Sequence, residues 1–575
     1  MMVVLLLVAC GGFAGAGCGT SNGAPSTGDA GLDDAGGPDG ANTLDGRDEP
    51  GTIIVKEPNC ETARTVCRGT RVMACAGRNV AEVIEECAAS CSLGRCTSRA
   101  CADAEIGDAA RGCRFYGAQV DNADLDDNRP TMVLVSNAGQ SAANVRVETR
   151  ELQGTWTLSA AAVVRPGGTE RLEISRPLIE LGLIAGGGYR VESDAPVMVV
   201  EIISDDTDRM SRSSGGTVLR PVQALGWRHL AVTAPARNSP EVARTAGGRN
   251  GAGAIAIVAT MPDTSVQIAV TAVAMAMPGQ TLQPLGPGEP PANTFLLQEG
   301  DVLQLFSIES AGDLTGSEIS ADFPVAVFSG NVFTTYGYAV VDANGGDLIV
   351  EQLPPVESWG LDYVGARLAP AGTCDSFFGS DSGSGTAEWR VVASQNGTEV
   401  TVTPAAGATI EIAGAAAGTT TFGLDRGGSR SFLVRGPNPD VFVHGSHPIL
   451  PAQWLDCEPA LSWGIDTRVV QGELAFGMPP GFESELVVVR DRATPVSLDG
   501  KALSNNQFRP VGPDDRWQVA RITDLGRCLD GWDRCEHRLS GAFGAAWRGM
   551  DVVCSYALTV PSRDPCTLPS VFCTF

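Results

Sequence analysis

The chain has few histidines, little basic charge and no long apolar run beyond its first residues. Only four of the 575 residues are histidine. The two nearest neighbours, His444 and His447, flank a turn beside Pro448, where solvent-facing or hydrogen-bonded imidazoles are expected rather than metal ligands. The net charge of −26 repels phosphate backbones, so nucleic acid is not an expected partner. No internal run approaches the ~20 apolar residues of a membrane-spanning helix.

The usual catalytic motifs are missing as well. There is no Gly-x-Ser-x-Gly nucleophile elbow, and the glycine-rich residues 251–256 precede a strand instead of linking a strand to a helix, as a dinucleotide site requires. A hydrolase would need paired carboxylates in a cleft, for which Asp375 and Asp381 are the nearest candidates. We therefore expect no enzyme activity and no cofactor, and we keep a carboxylate hydrolase as the lesser alternative.

What the sequence does contain indicates an exported protein. Seventeen cysteines favour an oxidising compartment and disulfide bonds. Residues 1–9 are apolar, and small residues precede Cys18, as in a bacterial lipoprotein signal that ends in a lipidated cysteine. No Lys or Arg precedes the apolar segment. The residues before Cys10 match a lipoprotein processing site better than those before Cys18 do, but processing at Cys10 would leave a very short apolar segment. We predict a signal peptide at 1–18, lipidation at Cys18, and an outer-membrane lipoprotein or extracellular protein whose only membrane contact is a lipid anchor.

Two segments with contrasting composition follow. Residues 19–55 are rich in Gly, Ala and mutually repelling Asp, which predicts a disordered tether. Residues 56–113 are dense in cysteine, which predicts a small disulfide-stabilised module rather than a zinc site, because no histidine lies nearby. Its disulfide candidates are Cys60, Cys67, Cys75, Cys87, Cys91, Cys96, Cys101 and Cys113. Their pairing is left open, since eight cysteines allow 105 connectivities.

Further cysteines lie in the second half of the chain. Cys528 with Cys535, and Cys566 with Cys573, are close enough in sequence for local bridges, and a Cys374–Cys457 bridge is a hypothesis. The acidic run after Val120 supplies candidate calcium ligands, although it lacks the glycine of a cation-binding loop. These weak candidates are Asp121, Asp124 and Asp126.

From residue 114 to 575 the sequence repeats short apolar strands. Four segments, starting near residues 133, 256, 390 and 486, pair an apolar strand with an alternating strand across a polar turn, which predicts four β-hairpins. Each repeat then ends in a strand, a proline or glycine corner and a second strand, most clearly at residues 313–330. We predict an all-β fold of four diverged antiparallel repeats at about 114–222, 223–354, 355–458 and 459–560. They form either tandem sandwich-like units or a closed propeller-like ring.

Tryptophans and long insertions mark these repeats. Trp227, Trp359 and Trp463 are interpreted as equivalent positions with a packing role. The insertions at 275–293, 331–346 and 369–386 are the candidate binding loops, because binding residues concentrate on loops carried by a rigid scaffold.

The motif residues resemble a known family. The segments Val133-Leu134-Val135-Ser136-Asn137, Asp313-Leu314-Thr315-Gly316 with Phe323 to Phe328, Glu351 to Gly360, and Trp389 to Ser394 resemble the IgGFc-binding protein N-terminal domain family over roughly residues 110–560. The resemblance implies an extracellular, non-enzymatic β module, since the family's namesake is a secreted mucus protein. It carries over no binding residue.

The predicted function is therefore binding or adhesion outside the cell. We expect an exported protein, secreted or tethered to the surface, that recognises a protein or glycan ligand through loops on a β scaffold. A purely structural envelope component is the alternative.

Overall fold

A computed structural model describes part of the chain. The chain divides into two compact units, Met1–Glu49 and Pro50–Phe575, and every described residue belongs to the second. The described residues are 60, 64–106, 108–121, 130–151, 154–174, 181–203, 215–235, 251–285, 293–309, 311–334, 347–368, 386–455, 460–468, 470–478, 483–492, 494–523, 525, 536–550 and 555–561.

The cysteine-rich segment forms two small sheets and a short helix. Strands β1 (Thr65–Arg68), β2 (Arg71–Ala76) and β3 (Asn79–Glu86) make one antiparallel sheet, and β4 (Ser90–Ser92) pairs with β5 (Arg95–Thr97). Helix α1 (Arg99–Glu105) begins at Ser98, whose Oγ accepts the N–H of Cys101 at 3.1 Å. The described cysteines form four disulfides, Cys60–Cys75, Cys67–Cys91, Cys87–Cys96 and Cys101–Cys113.

The rest of the described chain is almost entirely β, which confirms the predicted fold class. It forms four large antiparallel sheets, which we number 1 to 4 in chain order. Sheet 1 consists of β6 (Gly112–Gly117), β7 (Thr131–Ser136), β8 (Ala143–Arg150), β9 (Trp156–Val164), β10 (Thr169–Ile174), β12 (Tyr189–Ile203) and β13 (Gly215–Leu219). Sheet 2 consists of β11 (Gly182–Ile184), β14 (Gly226–Leu230), β15 (Gly253–Ala259), β16 (Thr264–Ala269), β17 (Ala274–Met277), β18 (Gln280–Leu282), β19 (Asn293–Leu297), β20 (Val302–Ser307), β21 (Glu318–Thr334) and β22 (Asp347–Gln352).

The second half of the chain supplies the other two sheets. Sheet 3 consists of β23 (Gly360–Gly365), β24 (Thr386–Ala393), β25 (Thr398–Pro404), β26 (Thr409–Ile412), β27 (Ala415–Ala417), β28 (Thr420–Leu424), β29 (Ser429–Arg435), β30 (Val441–Leu455), β31 (Ala460–Trp463) and β32 (Ile465–Asp466). Sheet 4 consists of β33 (Val470–Gly477), β34 (Glu483–Asp491), β35 (Val496–Leu498), β36 (Lys501–Ala502), β37 (Phe508–Val511), β38 (Trp517–Ile522), β39 (Glu536–Met550) and β40 (Ser555–Thr559). Short 3-10 turns lie at Val222–Ala224, Val356–Ser358, Asn505–Gln507 and Pro513–Asp515.

One long strand organises each sheet. These strands are β12, β21, β30 and β39, and they carry the repeated strand–corner–strand motif. In each, the first half pairs with two outer strands and the second half with two inner strands: β21 lies between β14 and β16, then between β15 and β22. Pro324 lies where β21 passes from one set of partners to the other, a position at which no ladder donor is needed.

The predicted hairpins are wrong. The consecutive strands β7 and β8 do not pair with each other. Strand β7 pairs with the second half of β12, and β8 pairs with its first half. The same holds for β15 with β16, β24 with β25, and β34 with β35. The polar turns between them carry the chain from the inner to the outer strands, because both halves of the long strand need partners.

The four sheets form a closed ring in which every sheet packs on two neighbours. The inner edge strands contact one another in a cycle, β13 with β22, β22 with β31, β31 with β40, and β40 with β13. Successive core residues of a strand face the two neighbouring sheets in turn. On β7, Val133 and Val135 face the core shared with sheet 2, whereas Met132 and Leu134 face the core shared with sheet 4. These contacts match the closed ring, one of the two predicted arrangements, with one sheet from each repeat.

Candidate functional site

Outside the cysteine-rich segment, Asp121 is the one predicted metal, lipidation or disulfide residue within the described ranges. Asp121 is buried, and its N–H donates to Gln304 Oε1 at 3.1 Å, while Asp124 and Asp126 lie outside the described residues. The cysteines that also lie outside them are Cys10, Cys18, Cys374, Cys457, Cys528, Cys535, Cys554, Cys566 and Cys573. The calcium, lipidation and C-terminal disulfide predictions therefore stay predictions. In the part of the chain that the structure covers, no three His, Cys, Asp or Glu side chains are grouped as a metal site would require.

The candidate loops are mostly outside the described residues as well. Of residues 275–293, the structure describes the paired strands β17 and β18, and of residues 331–346 only the end of β21. Asp375 and Asp381, in the third insertion, lie outside too. The candidate sites that the structure describes therefore lie on its sheets and their junctions.

Arginine–carboxylate pairs connect neighbouring sheets at every junction. Between sheets 2 and 3, Arg390 Nη1 donates to Asp313 Oδ2 at 2.7 Å and to Thr315 Oγ1 at 2.9 Å. The other junctions contain the pairs Arg150–Asp301 (sheets 1 and 2), Arg521–Asp440 (sheets 3 and 4) and Arg165–Glu536 (sheets 4 and 1). These groups hold the ring together and leave little polar surface there for a ligand.

The segment Asp313-Leu314-Thr315-Gly316 of the repeat motif belongs to such a junction. Asp313 Oδ1 accepts from Thr233 Oγ1 and from the Thr315 N–H, each at 2.9 Å. A Cβ on Gly316 would lie 2.1 Å from the carbonyl oxygen of Gly427 in sheet 3, and Gly316 has a φ of +86° that favours glycine. This part of the motif therefore serves assembly.

Buried ionisable groups line the inner edge of the ring. Glu201 on β12 is fully buried, and burial raises its pKa to about 8. It lies opposite Thr217 on β13, whose Oγ1 donates to Glu351 Oε2 on β22 at 2.6 Å. Burial also raises the pKa of Glu351. Desolvation therefore favours the neutral form of both carboxyls, and burial at this edge gives them a structural role.

Burial also affects Arg220, which follows β13, and His229 on the outer strand β14. It lowers the pKa of Arg220 to about 10, which the nearby Glu351 partly offsets. His229 is fully buried, and burial, followed by the charge of Arg220, lowers its pKa to about 3. A neutral, inaccessible imidazole cannot serve an external ligand, and neither can the buried carboxyls of the inner edge, so these groups do not form the candidate site.

The outer strands present polar rows to solvent. We define the outer row of a sheet as four residues that are paired side by side, one on each of four neighbouring strands. In sheet 2 these strands are β14, β21, β16 and β19. The rows are Arg114, Glu192, Arg146 and Ala161 in sheet 1; Arg228, Ser320, Gln267 and Thr294 in sheet 2; Asp362, His444, Thr401 and Thr421 in sheet 3; and Glu473, Ser540, Ser497 and Ala502 in sheet 4.

Three of these rows bond internally. In sheet 1, Arg114 and Glu192 form an ion pair at 2.5 Å. In sheet 3, His444 Nδ1 lies 2.7 Å from Asp362 Oδ1, and the hydroxyls of Thr401 and Thr421 are 3.1 Å apart.

In sheet 4, the hydroxyls of Ser497 and Ser540 are 2.5 Å apart. These contacts satisfy much of the hydrogen-bonding capacity of the three rows.

The outer row of sheet 2 differs. Arg228 donates from Nε to Glu357 Oε1, outside the row, at 2.7 Å. Ser320, Gln267 and Thr294 form no side-chain hydrogen bond with one another, and Gln267 and Thr294 are exposed. Among the described residues this is the row that presents free donors and acceptors to solvent.

An exposed tryptophan ends this row. Trp227, next to Arg228, is 42% exposed, whereas Trp359 and Trp463 are each 4% exposed. Between the pairs Gly226–Val325 and Arg228–Ser320 the ladder is interrupted, and Trp227 lies at that interruption.

Strand β23 has the same interruption at Leu361, and β6 has it at Cys113. The predicted equivalence of the three tryptophans is therefore wrong for Trp227. Its counterpart in sheet 3 is Leu361, and in sheet 1 it is Cys113, which the disulfide to Cys101 covers with α1.

Glycine brings a carboxylate to the arginine of this row. A Cβ on Gly226 would lie 2.4 Å from the Cβ of Pro355, so only glycine allows β14 to approach the Val356–Ser358 turn this closely. That approach places Glu357 against Arg228. The second oxygen of Glu357, Oε2, is buried and has no hydrogen-bond partner in the described part of the chain. We call Trp227, Glu357 and the outer row of sheet 2 the sheet 2 face.

Comparison with known proteins supports the sequence resemblance. A model of the IgGFc binding protein family matches residues 215–549, more than half of the chain. The chain belongs to the IgGFc binding protein family. It is 30% identical over 259 residues to the Homo sapiens protein named IgGFc-binding protein, a match that covers 43% of this chain. The match covers only 4% of that human protein.

Solved structures add no argument. A GH78 family rhamnosidase of Bacillus sp. GL1 aligns over 65% of this chain and 55% of its own, with 10% identity and a TM-score of 0.11. That score is too low to indicate a shared fold. The family assignment therefore depends on sequence, and the site depends on the geometry of this chain. The matched range includes Trp227 and all of its row.

Sequence reasoning did not find the sheet 2 face. It placed binding on the long insertions and treated Trp227 as a packing residue. The four row residues come from four separate strands, so no local spacing indicates that they meet. The offset of Trp227 from Trp359, relative to Gly226 and Gly360, was the available signal.

Proposed function

We propose that the chain is an exported, non-enzymatic binding protein that recognises an extracellular protein or glycan through the sheet 2 face and the loops around it. The observation that carries the proposal is the row Arg228, Ser320, Gln267 and Thr294, which is solvent-facing and not internally bonded, beside an exposed Trp227. Exposed aromatic groups with adjacent polar side chains on a rigid sheet are suited to recognition.

Family membership and disulfides support export and binding. The human relative is named for binding IgG Fc, although the chain spans a small part of that protein. Four disulfides in the N-terminal part of the described chain fit an oxidising compartment. Among the described residues, no helix has the length and apolarity to cross a membrane.

The experiment is a binding screen with the purified full chain. Extracellular proteins, with IgG Fc among them, and a glycan array are probed in parallel with the native chain and the Trp227→Ala variant. We expect one ligand class to bind and the variant to lose most of the signal. Silence on both arrays would contradict the proposal and favour a structural envelope component.

We further propose surface anchoring. Residues 1–18 act as a signal, Cys18 carries the lipid, residues 19–55 form the tether, and the cysteine-rich module of residues 56–113 precedes the β region of residues 114–575. The apolar start and the acidic, glycine-rich stretch after it support this arrangement. Metabolic labelling with a fatty acid should mark the native chain and not the Cys18→Ser variant. Label lost only in Cys10→Ser would move the anchor to Cys10.

A further inference from the structure

The sheet 2 face has the dimensions and chemistry of a site for an extended ligand. Its four row residues lie on neighbouring strands, and three inter-strand spacings of about 4.8 Å give a row of about 14 Å. A hydroxyl, an amide and a second hydroxyl follow one another along it. Each of these groups can both donate and accept hydrogen bonds, which suits a ligand whose own groups are hydroxyls.

Apolar groups lie at both ends of this row. Trp227 is 42% exposed beside Arg228, and Leu296, two residues beyond Thr294 on β19, is 61% exposed. An indole offers a broad apolar surface that loses little conformational entropy on binding, and a sugar ring presents a matching apolar face of C–H groups. Aromatic stacking at one end and hydroxyl recognition along the row are the two requirements for binding an oligosaccharide.

Charge narrows the ligand class. The one cation of the row, Arg228, is already paired with Glu357, and the chain has a net charge of −26. Sulfated or sialylated glycans would meet a repulsive field and no free cation in the row.

The other sheets provide an internal control for this interpretation. The equivalent of Trp227 is Leu361 in sheet 3, and the row of sheet 3 is occupied by the His444–Asp362 and Thr401–Thr421 contacts. A ligand would have to break those contacts before it could bind. The four sheets share one scaffold, and only sheet 2 combines a free row with an exposed aromatic side chain in the described part of the chain.

We infer that the sheet 2 face binds a neutral oligosaccharide, with one sugar ring stacked on Trp227 and hydroxyl groups bound by Arg228, Ser320, Gln267 and Thr294. The inference rests on the proposed function as a binding protein and names its ligand class. It assigns no chemistry to the site, only recognition.

The test uses the full chain on an array of neutral, sialylated and sulfated glycans, followed by titration calorimetry with the best neutral oligosaccharide. We expect neutral glycans to bind, Trp227→Ala to weaken binding by about tenfold or more, and Trp227→Phe to restore part of the loss. Gln267→Ala should weaken binding by about threefold to tenfold through lost hydrogen bonds. The matched variants Leu361→Ala and Thr401→Ala on sheet 3 should stay within about twofold.

The results that would contradict this inference differ from those that would contradict the proposed binding function. Neutral-glycan binding that Trp227→Ala leaves unchanged would overturn the location of the site but not the binding function. Preference for sulfated or sialylated glycans, or binding of proteins alone with loss in Trp227→Ala, would overturn the ligand class. No binding on any array would overturn both. Unchanged melting temperatures of the variants establish that losses are not due to unfolding.

Discussion

Sheets 2 and 3 have ten strands each and the same pairing scheme around a long central strand, yet their outer faces differ. In sheet 3 the outer row is bonded to itself, and Leu361 occupies the edge position. In sheet 2 the row is open, and Trp227 is exposed at that position. The scaffold is set by residues that face the two neighbouring cores. Solvent-facing residues on the outer strands can therefore change without affecting the ring, which is how one repeat can acquire a binding face while another stays closed.

The largest loss of stability is expected when the junction between sheets 2 and 3 is weakened. Arg390 is 9% exposed and bonds Asp313 and Thr315 across their junction. Replacing it with Ala leaves those acceptors without their donor, and we expect a loss of about 2–3 kcal/mol in the free energy of unfolding. Chemical denaturation monitored by tryptophan fluorescence measures this change.

The same junction supplies the control. Arg426 pairs with Glu318 at 2.5 Å, but the two side chains are 32% and 36% exposed. Because solvent screens such a pair, Arg426→Ala should cost no more than about 1 kcal/mol. Equal losses in the two variants would show that burial at the junction does not determine its strength.

The inner edges of sheets 2 and 3 carry different groups, so their contributions to stability should depend differently on pH. Sheet 2 contributes Glu351 there, next to Thr217 and Glu201 of sheet 1, whereas sheet 3 contributes Ser462, whose Oγ lies 2.7 Å from Thr559 Oγ1. The pKa of Glu201 is raised from 4.5 to about 8 by burial. Between these values the unfolded chain releases a proton that the folded chain keeps. Stability from this group is therefore complete below pH 4.5, falls as pH rises, and is fully lost above about pH 8.

Glu201→Gln tests this dependence. The amide cannot ionise, so the variant should lose part of the decline in melting temperature between pH 5 and 8. At pH 8 it should be more stable than the native chain by on the order of a few kcal/mol. Calorimetric scans across that range measure the effect. Parallel declines for the two proteins would assign the pH dependence to other groups, such as Glu351, whose pKa burial also raises.

The smallest expected effect concerns the outer faces themselves. Trp227→Ala and Leu361→Ala should each change the free energy of unfolding by at most about 0.5 kcal/mol, because neither position is in a core cluster. Acrylamide quenching should decrease in Trp227→Ala, since the indole removed is 42% exposed. A melting temperature lowered by several degrees in Trp227→Ala alone would mean that this side chain packs in the folded state and is not a ligand platform.

The sequence by itself determined the fold class, the cysteine-rich module and the family. Alternating apolar residues and the recurring corner at Pro196, Pro324 and Pro448 are local signals, and local signals indicate strands and their repetition. Cysteine density was enough to predict a disulfide module. The pairings of its cysteines came only from the structure, because eight cysteines allow many connectivities.

How the strands pair and where a ligand can bind depend on tertiary contacts between distant residues. The turn between β24 and β25 contains Asn396-Gly397, a strong hairpin signal, yet the two strands join opposite halves of β30. A turn bends the chain in either arrangement, and the partner that buries each strand decides between them. Likewise, Arg228, Ser320, Gln267 and Thr294 become neighbours only through cross-strand register, which depends on contacts between residues distant in the sequence.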